Sequence, residues 1–204
     1  MKPIGNTFRS LSKNEQLYCL HLGCWDKFFP CTKKEKWVNI DIRDLEVPPN
    51  ILFLKMNVVK LGFPDNSVDY IYACHLLEHF RRDETQTILK EWYRVLKPGG
   101  VIRIAVPDFD AIVEVYLKEM RDLTRIIGGL YGRQDYPENT HYTVFNYKKL
   151  MKELYDVGFR GTERYDHRQT SHAQIDDYSA SYIPHKDFEN GICISLNVQA
   201  RKPL

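Results

Sequence analysis

The chain has 204 residues, of which 43% are hydrophobic and 13% aromatic, so it is long and apolar enough to build one substantial core. Its formal net charge of +2 is too small to indicate a nucleic-acid partner. The 5 cysteines are odd in number and include no Cys-x-x-Cys pair, which argues against a disulfide framework. No run approaches the roughly 20 apolar residues of a membrane span, and no early apolar stretch resembles a signal peptide. We therefore expect one soluble, cytoplasmic domain over residues 1–204, with reduced thiols.

Short apolar runs in the first part of the chain predict three β-strands. They cover residues 18–22, 36–41 and 52–56. The connection between the first two contains Pro30 and is only long enough for a minimal crossover. The first helix is therefore expected to be short or irregular.

A strand, a helix and a second strand are predicted next. Residues 68–73 form a β-rich run of the kind that is buried on both faces. Apolar residues then recur at helical spacing, and Asp83 with Gln86 resembles a capping box at the start of this helix. The Lys-Pro-Gly-Gly sequence at 97–100 ends it, and residues 101–106 return as a strand. Such a unit implies a parallel strand pair with a right-handed crossover.

The last third of the chain predicts one helix, two strands and two long polar loops. The helix covers 146–157, and the strands cover 161–165 and 192–198, which brings the number of strands to seven. The loop 128–142 is rich in glycine, aromatic and polar residues, a composition typical of substrate-binding loops. The loop 165–190 contains scattered histidines and aspartates, whose spacing favours a polar hairpin loop over a metal site.

Five short motifs occur in a fixed order along the chain. They are Leu-His-Leu-Gly-Cys (20–24), Val-Asn-Ile-Asp (38–41), Leu-Gly-Phe-Pro-Asp-Asn-Ser-Val-Asp (61–69), Leu-Leu-Glu-His-Phe (76–80) and Leu-Lys-Pro-Gly-Gly (96–100). This order resembles the class I S-adenosylmethionine-dependent methyltransferases, and in particular a bacterial group of small members. The resemblance covers residues 18–118 well and 141–145 more loosely.

The resemblance implies an α/β, Rossmann-like fold. Its seven-stranded sheet has the order 3-2-1-4-5-7-6, with the last strand antiparallel and helices on both faces. It also implies S-adenosyl-L-methionine as cofactor, lying across the carboxyl ends of strands one to four. Open α/β sheets bind ligands in this place in general.

Residues that follow the first four strands are predicted to hold the cofactor. Gly23 lets the backbone approach a ligand closely, with a simple turn glycine as the alternative. Asp41 is placed to accept hydrogen bonds from two ribose hydroxyls, or else to cap the next segment. Asn57 matches the family position that contacts adenine, where an amide both donates and accepts. The full predicted set is His21, Gly23, Cys24, Trp25, Asp41, Ile42, Asn57, Val58, Ala73, Cys74 and His75.

The first motif departs from the family pattern at three positions. A typical member has glycines where this chain has Trp25 and Lys27, and an acid where it has His21. The Trp25 indole either packs over the methionine arm of the cofactor or obstructs the pocket. The acid that would hold the ammonium group is missing from this motif. We favour retained cofactor binding, because the later motifs are intact.

The predicted catalytic residues are His141, His75 and Tyr142. The loop 128–142 follows the fifth strand and is expected to overhang the methyl-donor pocket. A histidine there has a pKa near neutrality and can take a proton from an alcohol, although methyl transfer rests mainly on holding two reactants in line. A hydrogen-bonded loop anchor is the alternative role for His141. Asp108, after the fifth strand, is either a further acid of the site or the N-cap of the next helix.

His75, Glu78 and His79 share one helical face, at positions i, i+3 and i+4. An imidazole, carboxylate, imidazole set is suited to a divalent metal, and this segment resembles the ubiquinone-pathway O-methyltransferases with a histidine in place of their first glutamate. Structural hydrogen bonds at the start of the helix are the favoured interpretation, so no metal is assigned.

The sequence thus predicts a methyltransferase acting on a small molecule or a sugar-containing metabolite, by O-methylation. A degenerate, non-catalytic domain of the same fold with a binding or assembly role is the alternative. A nicotinamide dehydrogenase fits less well, because no Gly-x-Gly-x-x-Gly follows the first strand. The predicted partner is a small-molecule acceptor, with no nucleic acid and no membrane span. Tyr178 and Tyr182 either close the acceptor pocket or pack between the subunits of a homodimer.

Overall fold

The computed structural model describes residues 16–204, so residues 1–15 of the predicted domain lie outside the described part. A seven-stranded sheet forms its centre, with the order β3-β2-β1-β4-β5-β9-β6, and a two-stranded sheet, β7-β8, stands apart. The strands are β1 (Leu17–Leu22), β2 (Glu35–Asp41), β3 (Phe53–Lys55), β4 (Val68–Cys74), β5 (Leu96–Pro107), β6 (Arg160–Arg164), β7 (Tyr182–Ile183), β8 (Ile192–Cys193) and β9 (Ser195–Arg201).

The predicted sheet order is confirmed. Strands β3, β2, β1, β4 and β5 are parallel to one another, and β9 pairs antiparallel with both β5 and β6. In the main sheet β9 is the seventh strand along the chain and lies between the fifth and the sixth. The strand predicted over 192–198 is divided in two, with β8 in the small sheet and β9 in the large one.

Within residues 16–204, four α-helices accompany the sheet. They are α1 (Thr85–Val95), α2 (Phe109–Lys118), α3 (Ile127–Tyr131) and α4 (Tyr147–Val157). The Asp108 carboxylate accepts the Asp110 N–H, and the Asn146 side chain accepts the Lys149 N–H, so both residues are N-caps. The predicted capping box of α1 does not form, because the Glu84 carboxylate instead accepts the Arg81 N–H. Among the described residues, no helix is long and apolar enough to cross a membrane.

The two faces of the sheet are covered differently. On one face α1 and α4 pack together over a large aliphatic core that includes Trp92 and Leu154. On the other face an aromatic cluster surrounds Phe29, Trp37 and Tyr72, and each of its members lies in a strand or a loop. The segment between β1 and β2 contains no helix in the described structure, and its Phe29 is buried in the aromatic cluster. This agrees with the expectation of a short or irregular first connection.

Candidate functional site

A cavity of about 590 Å³ lies at the carboxyl ends of the parallel strands. This volume is in the range of small-molecule and cofactor sites. Every predicted cofactor residue except Ala73 lines it. Ala73 is fully buried inside β4, and its methyl group faces core residues rather than the cavity. The chain therefore brings the ends of β1, β2 and β4 together as predicted.

Gly23 sits at the turn after β1 and lines the cavity. Its φ of +66° is in the left-handed region, and a Cβ at this position would lie 2.7 Å from the Leu76 side chain. Both facts restrict the position to glycine. The residue brings the backbone close to the cavity, as the sequence predicts.

The Asp41 carboxylate ends β2 and is fully engaged. Its Oδ1 accepts the Arg43 N–H at 3.1 Å and the Arg43 Nε at 2.9 Å, while its Oδ2 accepts the Trp25 N–H at 3.0 Å and the Arg43 Nη2 at 3.2 Å. A carboxylate has about four lone-pair sites that accept hydrogen bonds, so the donors of Arg43 and Trp25 fill all of them. Burial alone would raise the pKa of Asp41, but these hydrogen bonds hold it below its ordinary value.

Trp25 takes part in a stack over this carboxylate. The Arg43 guanidinium lies 3.6 Å from the centre of the Trp25 ring, and the Tyr136 ring lies 5.0 Å from that of Trp25. The backbone of Trp25 has a φ of +46°, which is unusual for a bulky residue. The Trp25 backbone N–H thus binds Asp41, and the ring of the loop residue Tyr136 lies next to both the indole and the Arg43 guanidinium, which is 5.6 Å from its centre.

His21 and Asp177 form a polar wall at the base of the cavity. His21 Nδ1 lies 3.2 Å from Asn39 Oδ1, and burial lowers the pKa of His21 to about 4, while the Asp177 charge opposes that shift. Asp177 is buried and accepts hydrogen bonds from Tyr72 and Ser179. The sequence did not single out Asp177, because 154 positions separate it from Gly23 in the turn after β1 and nothing in its local pattern distinguishes it from an N-cap.

Three histidines surround the buried Glu78. His75 Nδ1 lies 3.2 Å from Glu78 Oε1, and His75 Nε2 lies 3.1 Å from Ser195 Oγ. His75 has a φ of +47°, and such strained backbone is common at functional sites. His79 and His141 approach the same carboxylate, and one ligand atom of each of Glu78, His79 and His141 lies within 4.8 Å of the others.

The loop 128–142 overhangs the cavity as expected, although its first part is helical and belongs to α3. The main chain of Tyr142 and Thr143 donates to the Glu78 carbonyl at 2.9 and 3.1 Å, which ties the end of the loop to the 3₁₀ turn Leu77–His79 before α1. The predicted catalytic residues His141, His75 and Tyr142 all line the cavity. His141 Nδ1 also lies 3.2 Å from the Gly129 carbonyl, and burial lowers the pKa of His141.

Two further predicted residues have local structural roles. Asn57 lines the cavity, and its Oδ1 accepts the Val59 N–H at 2.9 Å. Asp108 lies outside the cavity lining; it caps α2 and pairs with Arg164 at 3.1 Å. The N-cap alternative therefore describes Asp108.

Residues 30–104 match the family model described as "Methyltransferase domain". Among curated relatives, the ubiquinone/menaquinone biosynthesis C-methyltransferase of Haemophilus ducreyi is 34% identical over 92 residues, which are 44% of this chain and 35% of the relative. The demethylmenaquinone methyltransferase of Chlorobaculum tepidum is 28% identical over 122 residues, 56% of this chain and 50% of the relative. The chain thus matches half or less of the length of these relatives.

Solved structures share the fold over most of the chain. An S-adenosylmethionine-dependent methyltransferase from Methanosarcina mazei has a TM-score of 0.59 at 19% identity, covering 93% of this chain and 94% of that one. Human N-acetylserotonin methyltransferase in complex with S-adenosylmethionine has a TM-score of 0.56 at 15% identity, covering 92% of this chain and 48% of that one.

The sheet order, the cavity position and the matched domain define a class I methyltransferase fold. The fold predicted from the motifs is confirmed by the sheet order and by these structural neighbours, and the methyltransferase domain model matches part of the chain, residues 30–104.

Proposed function

We propose that this protein transfers a methyl group from S-adenosylmethionine to a small-molecule acceptor. The observation that carries the proposal is the cavity at the carboxyl ends of β1, β2 and β4, lined by the predicted cofactor residues. Its position is the one at which open α/β sheets bind their ligands. Its volume of about 590 Å³ suits a nucleoside cofactor with a small second ligand.

The polar groups of the cavity fit the parts of this cofactor. Asp41 is an acceptor for the ribose hydroxyls, and Asn57 lies at the end of β3, where the adenine is expected. Asp177 supplies a carboxylate beside His21, at the position where the first motif lacks its acid. We infer that Asp177 is the partner of the cofactor's ammonium group, with the neutral His21 beside it.

Bound S-adenosylmethionine supplies a sulfonium methyl group for in-line displacement by the acceptor. The residues of this chain then have to hold the acceptor, exclude water and keep the reacting atoms in line. Tyr136, Tyr142 and Tyr178 line the outer part of the cavity and offer aromatic surface for this purpose. His75 and His141 place imidazole groups on the same wall, where they can contact a hydroxyl group.

We propose a hydroxyl-bearing small molecule as the acceptor, with oxygen as the predicted acceptor atom. Imidazole and phenol groups in the cavity wall favour such a ligand, whether it is a phenol or a sugar-containing metabolite. The name of the Haemophilus relative specifies a C-methyltransferase, which favours carbon. A hydroxylated aromatic ring carries both kinds of site, and mass spectrometry with NMR of the methylated product distinguishes them.

The first test is calorimetric titration with S-adenosylmethionine and with its demethylated product. Micromolar binding that is lost in Asp41→Ala supports the proposed pocket and justifies an acceptor screen. No detectable binding of either compound overturns the enzyme proposal.

A non-catalytic domain is the second candidate, and one observation favours it. Arg43 and Trp25 already occupy the Asp41 carboxylate and cover it with an aromatic stack. A cofactor ribose must displace the Arg43 side chain before it reaches Asp41. If Arg43→Ala also fails to bind the cofactor, this second function is favoured.

We further propose that the protein acts in the cytoplasm, since its 5 cysteines are free thiols in the structure. A homodimer in which Tyr178 and Tyr182 pack between subunits stays a prediction. Size-exclusion chromatography with light scattering tests it.

A further inference from the structure

Glu78, His79 and His141 come together from two distant parts of the chain. Glu78 and His79 lie in a short 3₁₀ turn before α1, and His141 ends the loop that overhangs the cavity. One ligand atom of each residue lies within 4.8 Å of the others, and the two imidazole rings are 4.8 Å apart at an angle of 82°. The sequence groups Glu78 and His79 with His75, so the approach of His141 is a result of the fold.

The Glu78 carboxylate is buried, and its one ion-pair contact among the described residues is to His75 Nδ1 at 3.2 Å. Its side chain is 1% exposed, and within the described residues neither oxygen has a hydrogen-bond partner. A buried carboxylate needs a positive partner, because desolvation of an unpaired charge is costly. No lysine or arginine of residues 16–204 forms an ion pair with it, so the partner is either a protonated histidine or a bound cation.

Both imidazoles contact a backbone carbonyl through Nδ1. His79 Nδ1 lies 3.2 Å from the Thr140 carbonyl, and His141 Nδ1 lies 3.2 Å from the Gly129 carbonyl. A carbonyl oxygen only accepts, so each Nδ1 carries the proton. In the neutral ring this leaves the lone pair on Nε2, and a backbone carbonyl behind the ring is the usual outer contact of a metal-binding histidine.

We propose that Glu78, His79 and His141 bind one divalent transition-metal ion such as Zn²⁺. Two histidines and one glutamate form a known three-residue ligand set for zinc, which leaves a fourth position open. His79 and His141 line the cavity, so that open position is reachable from it. A water molecule or an acceptor oxygen would fill it. His75 contacts the same carboxylate and acts as a positioning residue for Glu78.

This site goes beyond the proposed methyltransferase function and does not depend on it. It gives His141 the role of a ligand instead of a base, and it provides a reason why a buried carboxylate stands among three imidazoles. Because the ion would connect the overhanging loop to the turn before α1, we expect it to order residues 128–142.

The test is a titration of the purified full chain with Zn²⁺ by calorimetry and with Co²⁺ by visible absorption. We expect one ion per chain, no comparable binding of Mg²⁺, and a loss of affinity of at least about tenfold in His141→Ala and in Glu78→Gln. His141 lies in a loop, so the core stays intact in His141→Ala. This variant therefore still tests the site if Glu78→Gln, which changes a buried residue, fails to fold. His185→Ala is the matched control, since His185 is exposed and lies outside the cavity.

Three results overturn the site. The first is no binding of either ion to the wild-type chain. The second is binding that is unchanged in both variants. The third is a thiolate charge-transfer band in the Co²⁺ spectrum, which would assign the ion to Cys24 or Cys74 in the cavity wall. Calorimetric titration of the same samples with S-adenosylmethionine is read separately, so a failure of cofactor binding is distinguishable from a failure of the metal site.

Discussion

At the scale of single residues, the site depends on which groups donate hydrogen bonds to its carboxylates. Asp41 serves four protein donors, and Asp177 serves Tyr72 and Ser179 while also facing the cavity. Both carboxylates therefore already accept hydrogen bonds from the protein before any ligand binds. A bound cofactor must therefore exchange hydrogen bonds with the protein, and its affinity reports the difference between two sets of contacts.

Replacing Arg43 should strengthen cofactor binding. In Arg43→Ala the Asp41 carboxylate loses its side-chain competitor, so we expect several-fold tighter binding of S-adenosylmethionine. In Asp41→Asn the charged acceptor is lost, and we expect binding weaker by about tenfold to a hundredfold, the equivalent of about 1.5–3 kcal/mol. Isothermal titration calorimetry measures both. Arg168→Ala, an exposed arginine outside the cavity, is the control, and weaker binding in Arg43→Ala would show that Arg43 itself holds the cofactor.

Asp177 should discriminate between cofactor fragments. Asp177→Asn keeps the size of the side chain and removes the charge that we assign to the ammonium group. We expect several-fold weaker binding of S-adenosylmethionine and unchanged binding of methylthioadenosine, which lacks the amino-acid part. Competition calorimetry compares the two. An equal loss for both compounds would mean that Asp177 only maintains the shape of the cavity.

At the scale of elements, the loop 128–142 is held in one conformation by its glycines and its backbone hydrogen bonds. Gly132 follows α3 with φ +73° and ψ 175°, a region that only glycine adopts readily. A Cβ there would lie 2.4 Å from the Asn139 carbonyl oxygen and 3.1 Å from His141. The position of His141 therefore depends on the backbone conformation at Gly132.

Gly132→Ala should damage the loop, whereas Gly128→Ala should not. We expect Gly132→Ala to lower the free energy of unfolding by about 1–3 kcal/mol. If the loop alone detaches instead, we expect it to become more susceptible to proteolysis. Gly128 lies in α3 with nothing within 4 Å of a Cβ, so its alanine variant should be neutral or slightly stabilising. Urea unfolding and limited proteolysis measure the two effects. Equal behaviour of the variants would contradict the role assigned to Gly132.

At the scale of the whole molecule, an aromatic cluster replaces the first crossover helix and encloses two histidines. Phe29 lies between His21 and His172, with ring centres 4.0 and 4.1 Å away. Both nitrogens of His172 are buried without a partner among the described residues. Burial lowers the pKa of His172 to about 3, while Asp177 opposes the shift and His21 and Arg103 add to it. The cluster is therefore stable only with neutral imidazoles.

Stability should fall as the pH drops below neutrality. The unfolded histidines bind protons below about pH 6.5, while in the folded state the pKa of His21 is about 4 and that of His172 about 3. The unfolded state thus binds more protons in this window, and the free energy of unfolding decreases on acidification. At most, His21 contributes about 3 kcal/mol and His172 about 5 kcal/mol, since one pKa unit corresponds to about 1.4 kcal/mol.

His172→Phe should reduce this acid sensitivity. The variant removes a titrating group and two unpartnered polar atoms while it keeps an aromatic ring, so we also expect it to be more stable by about 1–2 kcal/mol at pH 7. Urea unfolding at pH 7 and pH 5 checks both expectations. An unchanged slope between the two pH values would mean that other groups dominate the acid response.

The sequence by itself determined the strands, their order along the chain and the residues that follow them. Apolar runs of strand length that end at Gly23 or Asp41 can be recognised from the local residue pattern. Because parallel strands place their carboxyl ends at one edge, these residues also had to meet.

The tertiary structure alone decided that Asp177 faces the cavity and which distant groups approach each other there. Asp177 and His141 come from loops whose local sequence is compatible with caps and anchors, and only packing shows that they approach His21 and Glu78. The occupation of Asp41 by Arg43 is equally invisible in the sequence, because a salt bridge over two residues depends on the turn that the backbone makes there. Local pattern encodes the sheet, whereas side-chain proximity across long sequence separations depends on the folded backbone.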